Sequence, residues 1–343
     1  MDWENYSLRF TEAAKDKGFD KEYIDRCLSY ASRLSERGLP VIYSLEHLSH
    51  LVGTDANYLH SVAYLQERYY RDFNIQKKSG GSRQISEPLP NLKSVQRWIL
   101  DNILYRLSPS PYAKGFVPGK SIKENARFHR KQEMLLCLDA KNFFPSISTA
   151  KVNRFFLNCG YSKKLSYFLT RICTLNGGLP QGAPTSPALS NLIFAPIDNR
   201  IAAYCSERKI RYTRYADDLT FSGSFAVGRL INEVRKYLSE LHLTLNESKT
   251  RLMRRHERQE VTGVVVNEKL QATRSLRRSI RQACYYIKRF GIDAHLAAIK
   301  ERRANYKYHL IGQATFVRFL NPRDRDATEA IKILCTVNDS TPE

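Results

Sequence analysis

An α+β fold is predicted for this 343-residue chain, helical at both ends and mixed between them. Three observations predict it. In the first 70 residues apolar positions recur at helical spacing, as from Asp20 to Leu34, and Ser44 is placed to cap a helix running to about Leu51, just before Gly53. From Met134 to about Arg254, short runs of strand-forming residues alternate with helical stretches. Beyond Val266 the pattern is helical again. Within this frame Lys77 to Gln84 read as a hairpin, with Ser79-Gly80-Gly81 as its turn. Leu92 to Leu107 read as a helix, because Leu92, Val95, Trp98, Ile99, Ile103 and Leu107 leave one face apolar. The apolar run Met134 to Leu138 is a strand that ends in Asp139. Asn176 to Pro184 is crowded with glycine and proline, and Ser186-Pro187 then has the form of an N-cap followed by proline at the first helical position. In Arg214 to Gly223 apolar and polar residues alternate on both sides of Tyr215-Ala216-Asp217-Asp218, which puts the acidic pair where the chain reverses. Val261 to Asn267 reads as a buried strand.

Composition narrows the class of partner. At 42% hydrophobic and 26% charged residues the chain is globular rather than disordered. Its 55 Lys and Arg against 34 Asp and Glu give a net charge of +21, an excess that favours a polyanionic partner. No apolar run reaches the roughly 18 residues of a membrane span, and Met1-Asp2-Trp3-Glu4 lacks the regions of a secretory signal. A cytoplasmic protein without a membrane partner is expected. The seven cysteines are odd in number and scattered; they read as reduced thiols, neither a disulfide framework nor a zinc site.

Two adjacent carboxylates repel one another unless a cation lies between them, and phosphoryl transfer assisted by two metal ions uses such a pair. A solvated Asp-Asp turn is the plain alternative. Asp139 supplies a third carboxylate at the end of an apolar strand, where an acid is costly unless paired or metal-bound, although it could also cap a following helix. The glycine- and proline-rich loop between the two acidic positions suits close approach of backbone to a ligand, and equally suits a connector.

Taken together, Leu138-Asp139-Ala140-Lys141-Asn142-Phe143-Phe144, Leu179-Pro180-Gln181-Gly182-Ala183-Pro184-Thr185-Ser186-Pro187 and Tyr215-Ala216-Asp217-Asp218 resemble the three palm motifs of reverse transcriptases. Ile75 to Ile85 resembles the fingers hairpin, and Leu243 to Thr250 the fourth palm motif. Asn125-Ala126-Arg127-Phe128-His129 and Val261-Thr262-Gly263 resemble the Asn-Ala-x-x-His and Val-Thr-Gly elements that mark bacterial retron reverse transcriptases. The resemblance covers roughly residues 65 to 320. It implies a right-hand polymerase architecture: an N-terminal helical extension (1–70) packed on the fingers (71–133), a ferredoxin-like palm (134–266) and a helical thumb with a C-terminal tail (267–343).

The same resemblance implies roles. Asp139, Asp217 and Asp218 are the catalytic acids, which hold two Mg²⁺ ions, for which Mn²⁺ can substitute, with help from the Ala140 carbonyl. Lys78 and Arg83 meet the triphosphate of a deoxynucleotide, Gln181 contacts the nascent pair, Phe144 blocks a ribose 2′-hydroxyl, and Lys249 serves the departing pyrophosphate. Asn125, His129, Val261, Thr262 and Gly263 belong to RNA recognition, although on residue pattern alone His129 could as well be a satisfied histidine on a helix. The stretch 271–310 holds ten Lys or Arg against Asp293 and Glu301. Arg274, Arg277, Arg278 and Arg281 fall on one helical side with Tyr285 close behind, which suits phosphate and base contacts or else a solvated basic face. The partners implied are a dedicated structured noncoding RNA, its DNA product, primed from a guanosine 2′-hydroxyl, and a separate effector or toxin protein in phage defence, for which this chain has no room as a fused domain. Intron-encoded or diversity-generating enzymes and a non-catalytic RNA-binding scaffold are the competing readings.

Overall fold

The computed structural model describes residues 2–76 and 80–336, which form two compact units whose segments alternate along the chain. One unit takes the chain up to Val117, Ala140–Ile201 and Asn232–Leu245; the other takes Pro118–Asp139, Ala202–Ile231 and the chain from Asn246. The segment 134–266 contributes to both.

The first unit begins with helices α1 (Trp3–Asp16), α2 (Lys21–Glu36), α3 (Leu45–Val52) and α4 (Ala56–Tyr64). Asp2, Asp20, Ser44 and Asp55 each accept an N–H of the first turn, and Gly53 ends α3 at φ 67°, so these boundaries follow from caps that the sequence announces. Tyr6, Phe10 and Tyr43 stack against one another and fasten α1 to the chain before α3. The antiparallel hairpin β1 (Tyr70–Gln76) and β2 (Ser82–Pro88) follows, then α5 (Pro90–Asn102). A 3₁₀ turn over Leu104–Arg106 replaces the last turn of helix expected to Leu107. It keeps Ile103 and Leu104 buried, so the apolar spacing alone does not distinguish the two.

The second unit opens with α6 (Ile122–Phe128) and β3 (Met134–Lys141), a strand that leaves it after Asp139. The first unit resumes with α7 (Thr149–Cys159), α8 (Lys163–Cys173) and most of α9 (Ser186–Glu207). Ser186 is already helical, one place beyond the cap expected of it, and the Thr185 carbonyl accepts the Leu189 N–H. Back in the second unit lie β4 (Arg211–Tyr215) and β5 (Asp218–Gly223); α10 (Val227–Ser239) leads away to β6 (Thr244–Leu245), which pairs in the first unit with Ala140 and Lys141. The chain returns through β7 (Arg251–Arg254) and the short antiparallel strands β8 (Glu260–Val261), β9 (Val264–Val265) and β10 (Gln271–Ala272). It ends in α11 (Arg274–Phe290), α12 (Ile292–Ile299), α13 (Tyr306–Leu320) and α14 (Arg325–Thr336).

In the second unit β4, β5, β3 and β7 form an antiparallel sheet in that order. Leu135 and Cys137 of β3, Val261, Val264 and Val266 around β8 and β9, and Ile280, Ala283 and Ile287 of α11 share one apolar core with α13 and α14. The candidate site therefore stands on a strand buried along its length. No helix among the described residues is long and apolar enough to cross a membrane.

Candidate active site

Tyr215 pairs with Asp218 across β4 and β5, which leaves Ala216 and Asp217 as a two-residue turn. Ala216 has φ 58° whereas Asp217 does not lie at positive φ, the sign pattern of a type II′ turn whose first place normally goes to glycine. An alanine there costs roughly 1–2 kcal/mol of backbone strain. The turn is held from below: Arg214, with no exposed surface, donates from Nη1 to the Ala216 carbonyl at 3.1 Å. Strand β3 lies on the other side of β5, in a register that sets Asp139 directly opposite Asp218. Opposed residues on antiparallel strands have Cβ atoms about 5 Å apart, so the two carboxylates are neighbours on one face.

The charges of this face are unequal in their surroundings. Burial, then the neighbouring charges of Asp217 and Asp139, push the Asp218 carboxyl up to about 6, against the opposing pull of Arg251 and Lys249. Asp139 is nearly enclosed, and its Oδ2 accepts from Lys249 Nζ at 2.8 Å; its carbonyl accepts the Asn246 N–H at 2.8 Å, which ties the Lys249 turn to the strand end. Among the described residues no three His, Cys, Asp or Glu side chains are gathered to hold a metal ion. The donor chemistry still fits one: carboxylate oxygens suit Mg²⁺, and a cation would offset the burial and the neighbouring charges that raise Asp218.

The expected nucleotide residues of the first unit can be placed within that unit. Arg83 is exposed on β2 and pairs in register with Ile75; Lys78 lies outside the described residues. Gln181 is half-buried, and its carbonyl accepts the Ser86 N–H at 2.8 Å, which docks the glycine-rich loop on β2. A Cβ at Gly182 would meet the Ser86 carbonyl oxygen at 2.7 Å, and one at Gly178 would meet the Pro145 carbonyl oxygen at 2.4 Å, so the loop owes its close approach to glycine at both places. Phe144 is half-buried, its ring edge-on to Phe143 at 5.4 Å and 6.4 Å from Phe116.

Residues 75–269 match the family model of reverse transcriptase (RNA-dependent DNA polymerase). The chain is 36% identical to the retron Ec86 reverse transcriptase of Escherichia coli, over 74% of this chain and 81% of that protein. It is 34% identical to the retron Mx65 reverse transcriptase of Myxococcus xanthus, over 86% of this chain and 72% of that one. This chain belongs to the bacterial retron reverse transcriptases. It is an RNA-directed DNA polymerase, and its described residues form a mixed helix-and-sheet, α+β fold. A solved structure of telomerase from Candida albicans is similar at TM-score 0.42 and 9% identity, over 77% of this chain and 62% of that one, too slight a likeness to argue from.

The residues that resemble the marks of a retron reverse transcriptase divide between core and surface. Asn125, His129 and Val261 have no exposed surface. Both ring nitrogens of His129 are engaged, Nδ1 with Ser222 Oγ and Nε2 with Thr213 Oγ1, each at 2.7 Å, and burial holds the imidazole down to about 3, so the ring is neutral. Their side chains offer RNA no surface, and that expectation is corrected: they face the core. Thr262 is half-buried at φ 47°, and Gly263 is exposed at φ 84°. On α11 the four arginines also divide. Arg274, Arg278 and Arg281 are exposed, Arg281 with its Nη1 3.4 Å from Asp326, while Arg277 Nε lies 3.4 Å from the buried Asp324. Asp324 caps α14 through the Ala327 N–H and accepts from Gln271 Nε2 at 2.6 Å, so Arg277 is built into the packing of the helices rather than left on a free face. Tyr285 is exposed, with its hydroxyl bonded by Arg289. Sequence reasoning missed Arg214, Thr213, Ser222 and Asp324, which are short or charged residues whose inward direction only the strand register and helix packing reveal.

Proposed function

We propose that this polymerase copies part of a dedicated structured noncoding RNA into branched, multicopy single-stranded DNA primed from a guanosine 2′-hydroxyl, and that it acts in the cytoplasm as one component of an antiphage system with a separate effector protein. The observation that carries the catalytic part is the hairpin: two acids at its tip and a third opposite Asp218, whose carboxyl is raised by burial and then by the charges of the other two. In this reading the primer hydroxyl attacks the α-phosphate of a deoxynucleotide and pyrophosphate leaves. Asp139, Asp217, Asp218 and the Ala140 carbonyl would hold two Mg²⁺ ions, which when bound lower the pKa of the attacking hydroxyl and screen the triphosphate. Lys249, now on Asp139, is within reach of the site to neutralise the leaving group. Arg83 and Lys78 bind the triphosphate, Gln181 the nascent pair, and Phe144 excludes a 2′-hydroxyl by its bulk.

RNA recognition falls to the exposed Gly263 and half-buried Thr262 of their turn and to Arg274, Arg278, Arg281 and Tyr285 on α11, a mixture of guanidinium and aromatic groups suited to phosphate and base. The nucleic acid that copurifies with the protein tests the reading. Before digestion it should run as one discrete species, which ribonuclease shortens to a short DNA and deoxyribonuclease to one discrete RNA; unlinked or heterogeneous nucleic acid would refute the branched product while leaving the polymerase assignment standing.

A further inference from the structure

The Asn-Ala-x-x-His residues and the Val-Thr-Gly turn are connected through the strands that carry the acidic hairpin. Thr213 of β4 donates from Oγ1 to Asn125 Oδ1 at 2.6 Å, so towards His129 Nε2 its oxygen is the acceptor and the ring carries its proton on Nε2. Nδ1 is then the acceptor for the Ser222 hydroxyl of β5. Asn125 Nδ2 in turn donates to Thr262 Oγ1 at 3.4 Å. The chain of donors thus runs one way, from Ser222 through His129, Thr213 and Asn125 to Thr262. Every link but the last is buried, and a buried chain of this kind has one arrangement in which all its groups are satisfied. Thr213 stands four residues before Asp217 and Ser222 four residues after Asp218, and β4 and β5 are bonded in register from these positions to the turn. At the other end Thr262 is a β-branched residue at φ 47°, a conformation that needs holding in place.

We propose that Asn125, His129 and Thr213 are positioning residues, a directed hydrogen-bond chain that fixes the acidic hairpin to the Val261-Thr262-Gly263 turn, so that RNA seated on the turn sets the geometry of Asp217 and Asp218. This rests on the catalytic reading of those two acids. It moves the retron-marking residues from contact with RNA to transmission between the RNA-facing turn and the metal-binding face.

The decisive pair is Thr213→Val, which keeps shape and removes the hydroxyl, and Thr213→Ser, which restores it. Thr262→Val and Thr262→Ser repeat the comparison at the far end. With protein shown to be folded by circular dichroism, extension of a DNA primer on an RNA template is measured against Mg²⁺ and deoxynucleotide concentration. Both valine variants should lower kcat by about tenfold or more, since misplacement by about 1 Å is enough for that, and should raise the Mg²⁺ midpoint several-fold, with KM for the deoxynucleotide within about twofold and with rescue by serine. Unchanged kcat and Mg²⁺ midpoint in folded Thr213→Val would overturn the proposal, as would a serine variant as impaired as the valine one. A loss confined to RNA affinity would also overturn it and return the residues to direct contact. Asp217→Asn run alongside separates the two readings: if it is inactive while Thr213→Val is normal, the catalytic assignment stands and only the positioning falls. Should the valine variants not fold, nitrogen-15 NMR of the wild-type protein decides. His129 should show the Nε2-protonated tautomer and shift on adding the primer–template; the other tautomer, or no response, refutes the chain.

Discussion

Replacing Asp218 by Asn should make the metal-free protein more stable while ending DNA synthesis. Asp218 stands opposite Asp139, beside Asp217, and largely out of water, and together these raise its carboxyl from the ordinary 3.8 to about 6. At ~1.4 kcal/mol for each tenfold change, that rise corresponds to a penalty of about 3 kcal/mol on the ionised folded state. Partial exposure screens some of it, so a gain of about 1.5–3 kcal/mol is expected from the neutral amide. The sign follows from proton uptake. The folded chain holds the Asp218 proton more tightly than the unfolded chain, so this group's contribution falls as pH rises from 3.8 through about 6 and stays at its full penalty above that. The advantage of Asp218→Asn should therefore be full at pH 7.5 and vanish towards pH 4. Urea unfolding at pH 4.5, 6 and 7.5 measures it, with chelator or with Mg²⁺. On the proposed assignment a cation binds the folded wild-type face and not the unfolded chain, so Mg²⁺ should stabilise wild type more than the variant and narrow the gap. A variant no more stable than wild type at pH 7.5, or a difference independent of pH, would refute the account of the acidic face.

Three other outcomes follow from the same geometry. Asp139→Asn and Asp217→Asn should each remove primer extension with folding retained, and wild-type activity should require Mg²⁺ or Mn²⁺; near wild-type extension by folded Asp217→Asn would refute its role. Phe144→Val should raise ribonucleotide incorporation relative to deoxynucleotide in a competition assay, and an unchanged ratio with activity intact would leave Phe144 a packing residue against Phe143. On α11, Arg277→Gln should cost about 1–3 kcal/mol in urea unfolding through loss of its buried partner Asp324. Arg274→Gln with Arg278→Gln should leave stability unchanged and flatten the salt dependence of RNA binding by up to about 0.7–0.9 per phosphate contact removed.

The caps, turns and acidic positions were legible because each has a local cause. Ser44, Asp20 and Gly53 act within one helical turn of themselves, and the Tyr215 to Asp218 reversal is written in the alternation on either side of it. What depended on distant partners was not legible. Four arginines at helical spacing look equivalent until Asp324 and Asp326, some 45 residues further along the chain, claim two of them. His129 reads as a ligand-facing group by family pattern and as a satisfied histidine by its partners, Thr213 and Ser222, which lie more than 80 residues away. Burial of a small polar residue is a property of the pairing, and no periodicity of its own segment announces it.

The ten residues from Thr213 to Ser222 carry several local costs together: an alanine at positive φ, an acid set opposite another acid, a fully enclosed arginine, and hydroxyls that must each find a partner out of water. A segment of this kind persists only where its surroundings over-determine it. Here they do. Arg214 holds the carbonyl of the strained residue, Lys249 holds Asp139, and the chain through His129 fixes both strands at their base. On the proposed assignment each cost also has a use, since a turn that presents two acids at its tip needs a sharp reversal and a bound cation would offset the clustered carboxylates. The hydroxyls give the hairpin one arrangement instead of several. Relaxing any one of them should therefore gain stability and lose synthesis only where the relaxed feature acts on the substrate, as proposed for Asp218; at Thr213, where it faces the core, both should be lost together.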